Sequence, residues 1–119
     1  MYKLVILIEP QSDAARFDSR WPEFLAVVER MPGLRREVTS RVDRVLSGTF
    51  HVYLIHELFF DSLKAAADAM ESVEGQIAGQ ILQEISTAKV TLLLADHLQD
   101  ELSHIHWHKE GGLPPGDHA

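Results

Sequence analysis

Apolar positions along the chain follow two spacings, and the switches between them outline the fold. Residues 2–9, YKLVILIE, form an apolar run too short for a typical helix and rich in strand formers, which predicts a buried strand ended by Pro10. From Asp13 to Met31, the residues Ala14, Phe17, Trp21, Phe24 or Leu25, Val28 and Met31 recur every three or four positions, the period of one helix face. Pro22 interrupts this run, so either the helix kinks there or a second segment starts with Pro22 in its first turn. The MPGL stretch at 31–34 closes the helix with a turn. Residues 34–46 read as a strand whose imperfect alternation and charge suggest an edge position, its surface wet or facing a cavity. Ser47-Gly48-Thr49 reads as a short turn, and 50–60, FHVYLIHELFF, as the strand returning from an antiparallel hairpin.

Asp61 or Ser62 then caps a helix with Leu63, Ala66, Ala67 and Met70 on one side. The stretch 72–75 breaks it, and Ile77, Ile81 and Ile85 mark a further short helical stretch. Residues 89–95, KVTLLLA, are the last strand, and 111–119, GGLPPGDHA, have the composition of a mobile tail. The order strand, helix, strand, strand, helix, strand, with right-handed crossovers, predicts an α+β fold. It is the ferredoxin-like βαββαβ plait, a four-stranded antiparallel sheet with its helices on one face. Leu4, Ile6 and Ile8 alternate with Val5 and Leu7, and Leu93 is flanked by Leu92 and Leu94. Strands apolar at both parities are buried on both faces, which a single plait does not achieve. A homodimer with its open sheet faces packed together is therefore expected.

Bulk composition narrows the function classes. At 119 residues, 45% hydrophobic and 24% charged, the chain is one ordinary globular domain. No apolar run approaches the length of a membrane span, and the six-residue apolar stretch near the start is too short for a secretory signal. The absence of cysteine excludes thiolate catalysis, disulfides and iron–sulfur clusters and makes the cytoplasm the default location. A net charge of −7 repels phosphate backbones, so no nucleic-acid partner is expected.

The stretch HELFFDSLKAAADAMESVEGQIAGQI resembles the C-terminal half of the EthD family, in which FDSL opens a helix before an SxEGQ-like turn. The KLVILI strand, the tryptophan-bearing helix and the MPGL turn agree with its N-terminal half. The resemblance covers about residues 2–96 and leaves 97–119 as a C-terminal arm and tail. It implies a dimeric α/β barrel and, through related barrels, an enzyme acting on a small aromatic, ketonic or lactone intermediate. Acid–base or cofactor-free oxidative chemistry is implied, of monooxygenase or isomerase/cyclase type, with no cofactor. The alternative is a non-catalytic accessory protein that holds a small apolar or aromatic ligand in the dimer's cavity. Many family members carry a histidine soon after the helix tryptophan; here WPEFLAVVERMPGL has none.

Chemistry is sought on the third strand. One parity holds His51, Tyr53, Ile55, Glu57 and Phe59, and is expected to face the barrel lumen. Glu57 is the candidate base, with His51 and Tyr53 orienting substrate or stabilising oxyanion charge. Phe59, with Arg41 and Thr39 from the second strand, is a candidate ligand contact. The other parity, Phe50, Val52, Leu54, His56, Leu58 and Phe60, should pack beneath the helices, making His56 a satisfied core or interface histidine. His104, His106 and His108 in SHIHWHKEGG lack any H-E-x-x-H or cysteine–histidine framework, so no metal site is assigned. Leu98, Leu102, Ile105 and Trp107 suggest instead an arm anchored on the dimer surface.

Overall fold

A computed structural model describes residues 1–98. The chain folds in the order β1 (Tyr2–Ile8), α1 (Ala14–Val28), β2 (Arg36–Arg41), β3 (Leu54–Phe60), α2 (Leu63–Glu71), α3 (Val73–Ile85) and β4 (Val90–Asp96). The sheet order is β2-β3-β1-β4, with every neighbouring pair antiparallel. This is the ferredoxin-like arrangement, and it follows from the strand polarity. Leu4, Ile6 and Ile8 of β1 pair with Leu58, His56 and Leu54 of β3, and all six are buried beneath the helices. Phe17, Trp21, Phe24, Val27 and Val28 form the buried face of α1, and Ala78, Leu82 and Ile85 that of α3.

Pro22 lies inside a single α1, which neither divides nor restarts there. The helix stops at Val28, short of the expected Met31. Met31 is nonetheless buried, and Gly33 turns the chain at φ 80°, a conformation glycine adopts without a Cβ clash. Ser62 supplies the α2 cap by accepting from the Ala65 amide. Between α2 and α3 the break is one residue, Ser72, which caps α3 through Gly75 N and donates to Ala69 O. The second helical stretch is thus longer than its isoleucine spacing implied. Gly75 permits the tight joint, because a Cβ there would lie 2.3 Å from Ala69 O.

The hairpin departs most from expectation. Paired strand covers only 36–41 and 54–60, and residues 42–53 form a long connection instead of the short turn at 47–49. Residues 43–51 are all exposed, including Phe50 at 50%, which was expected to pack under the helices. Aromatic and β-branched composition suggested strand for 50–53, but Phe50 and His51 are exposed, and only Tyr53 keeps backbone bonds to Ile8 and Val42. Pairing stops where Tyr53 turns its ring edge onto Phe17 of α1.

Candidate functional site

Two faces of the sheet carry separate sets of the chemically interesting residues. On the open face, Glu57 pairs in register with Val5 and Val38, and its carboxylate accepts from Lys3 Nζ at 2.6 Å. Phe59 lies on the same face but is buried, with the Arg36 guanidinium 4.3 Å from its ring centroid and the His97 ring edge-on at 5.0 Å. Around these groups stand Val5, Leu7, Ile55 and Leu93, so the face is apolar with its one central charge pair already closed.

The other expected partners of Glu57 are elsewhere. Tyr53 was expected beside it and instead faces the helices, donating to Asp18 and accepting from Arg41 Nη1 at 2.7 Å. Burial, with the Asp18 hydrogen bond, pushes the Tyr53 phenol up. Arg41 is committed to Tyr53 and Asp18. The parity forecast fails at Tyr53 because the residue precedes the paired strand, where the alternation of side chains no longer holds. His51 is exposed in the 42–53 connection. Thr39 sits opposite His56 on the helix side of β2.

His56 is fully buried. Its Nε2 is 2.9 Å from Glu37 Oε2 and its Nδ1 is 2.8 Å from Thr39 Oγ1. Trp21 and Phe24 meet the ring edge-to-face. Burial pushes its pKa down to about 4, so the imidazole is neutral at physiological pH. A neutral ring has one donor and one acceptor. With Glu37 ionised, Nε2–H donates to the carboxylate and Nδ1 accepts from the Thr39 hydroxyl. Burial, with Glu29 nearby, also pushes the Glu37 carboxyl up.

Beside this cluster, between sheet and helices, lies a cavity of about 150 Å³. Leu4, Ile6, Leu58 and Leu92 form its floor, Phe24, Val28 and Met31 one wall, and Met70, Ala78 and Leu82 with Gly75 and Gly79 the roof. None of these side chains is titratable. Phe24 is both cavity wall and ring neighbour of His56. This cavity lies on the face opposite Glu57, and the strand polarity that pointed to a lumen gave no sign of it. Gly79 was the available signal, because a Cβ there would meet nothing within 4 Å. Residues 99–119 lie outside the described residues. With them lie His104, His106 and His108, the proposed anchors Leu102, Ile105 and Trp107, and all but the first two residues of the expected arm.

No family model matches the chain. An uncharacterized 11.0 kDa protein of the thcB–thcC intergenic region of Rhodococcus erythropolis is 27% identical over 97 residues, 81% of this chain and 94% of that protein. SnoaB, a cofactor-independent oxygenase from Streptomyces nogalater, has the same fold at a TM-score of 0.57 and 18% identity, covering 84% of this chain and 97% of that one. An ethyl tert-butyl ether D (EthD) family protein from Bacillus halodurans C-125 superposes with a TM-score of 0.76 and 25% identity, over 82% of this chain and 99% of that one. In sequence and in fold, the chain resembles the EthD family.

Proposed function

We propose that the protein binds a small apolar molecule in the helix-side cavity, as a homodimer joined through the open sheet faces. The observation that carries this reading is the cavity wall, built wholly of apolar side chains and glycine. An apolar cavity of roughly 150 Å³ is large enough for one benzene-sized molecule, and filling it restores dispersion contacts that an empty space forfeits. The homodimer is supported by the apolar open face and by two structural neighbours described as dimeric ferredoxin-like proteins. Benzene is the probe that tests the cavity. Trp21 stacks on Phe24, so its fluorescence reads events at the wall once the other tryptophan is removed by Trp107→Phe. Saturable quenching or enhancement with a raised melting temperature is expected, and neither effect at benzene saturation would reject the site.

The likeness to a cofactor-independent oxygenase favours a second reading, in which the bound molecule is oxidised. Glu57 is then the candidate base on the lumen face. Dioxygen uptake with hydroquinone as probe tests this reading. Loss in Glu57→Gln assigns the chemistry to the lumen, and unchanged uptake in that variant overturns Glu57 as the base. Uptake no faster than in buffer leaves the protein a binder.

A further inference from the structure

We propose that the ligand of the cavity is an uncharged molecule with a compact apolar head and an apolar chain. The head lies between the sheet and α1, and the chain leaves past Gly79 along Leu92 and Leu94 of β4. The inference rests on the cavity being a ligand site.

Three observations converge on the mouth. Leu92 and Leu94 pair with Ile6 and Leu4, so they share the helix-facing side of the sheet. Ile6 and Leu4 are 3% and 5% exposed, whereas Leu92 and Leu94 are 53% and 44% exposed. The helix layer therefore stops short of β4 and leaves an apolar strip continuous with the cavity floor. Gly79 is the second observation. Gly75 is required sterically, but a Cβ at Gly79 would meet nothing within 4 Å. An alanine there would suit the helix better, so packing inside the protomer does not account for this glycine, whereas room for a chain beside it does. The third is charge. Gln76 and Gln83, one turn before and after Gly79, are exposed and neutral, and the cavity wall holds no ionisable group. An ionised ligand would lose its hydration without gaining a partner.

The head volume sets a ring of about six to eight heavy atoms, and anything larger must extend through the mouth. The test is a series of benzene, ethylbenzene and n-butylbenzene, read by Trp21 fluorescence in the Trp107→Phe chain. Affinity is expected to rise roughly three- to fourfold per methylene, the effect of removing one CH₂ from water. In Leu94→Gln, at a strip position outside the cavity lining, benzene binding should survive while the gain with chain length disappears. Benzene binding with a flat series would overturn the proposal alone and assign Leu92 and Leu94 to a protein contact. A gain that survives Leu94→Gln would overturn the route along β4. Failure of benzene itself to bind would remove the site and this inference together.

Discussion

His56 shows how one residue type takes its role from its surroundings. The strand reading placed it under the helices, and it is there, but only the coordinates supply Thr39 and Glu37 as partners for its two nitrogens. Its pKa is about 4 in the folded protein against an ordinary 6.5. Between these values the unfolded chain binds a proton that the folded chain does not, so stability falls as pH drops from 6.5 towards 4. The loss approaches about 3 kcal/mol for a shift of this size. Glu37 works the other way, since a carboxyl with a raised folded pKa favours the folded state as it protonates. Denaturant unfolding at pH 7 and pH 4.5 should show the drop in the native chain and a smaller one in His56→Leu. An equal drop in both would show that His56 is not the residue responsible.

At the scale of the element, the α2–α3 joint sets two glycines one helical turn apart under opposite constraints. Gly75→Ala forces a Cβ against Ala69 O and Met70 O, both backbone atoms, and overpacking of this kind costs about 1–3 kcal/mol. Gly79→Ala meets no neighbour and removes a helix-interior glycine, so it should stabilise by about 0.5–1 kcal/mol. Thermal unfolding of the two variants checks the signs. Equal destabilisation by both would mean that the roof of the cavity is closed at Gly79. Ser72 belongs to the same joint, because its hydroxyl both caps α3 and donates to the end of α2. Ser72→Ala should cost about 1 kcal/mol or more, the usual value for a lost cap.

At the scale of the whole molecule, the open face of the sheet governs assembly. Val5, Leu7, Ile55 and Leu93 remain partly or largely exposed in a single protomer, and the Lys3–Glu57 pair is closed within it. Such a face can be covered by a second copy without stranding a charge. Val5→Asp adds an unpaired carboxylate at its centre, and an unpaired buried charge is strongly destabilising, by about 3–5 kcal/mol. Sedimentation at micromolar concentration should therefore give a dimer for the native chain and a monomer for Val5→Asp. A monomeric native chain would remove the assembly proposal and leave the helix-side cavity untouched, since no open-face residue lines it.

Much of this architecture is local and so was legible along the chain. The short apolar run in β1, the three-and-four spacing in α1, the Ser62 cap and the MPGL turn each depend on neighbours within a few residues. Strand polarity also separated Glu57 from His56 correctly, because successive side chains of one paired strand must point to opposite faces. The rule failed at Tyr53, Phe50 and His51, where pairing ends and no period applies. Tyr53 is held instead by Asp18 and Phe17, some 35 positions away in the chain, a contact that no local pattern encodes. The cavity is tertiary for the same reason. Its wall draws on six of the seven elements, and its volume is what remains when those elements pack as closely as Gly75, Gly79 and Leu92 allow. Residue sequence determined which face of each element is apolar, since that depends on spacing alone; only the packing of the faces decided where they leave room.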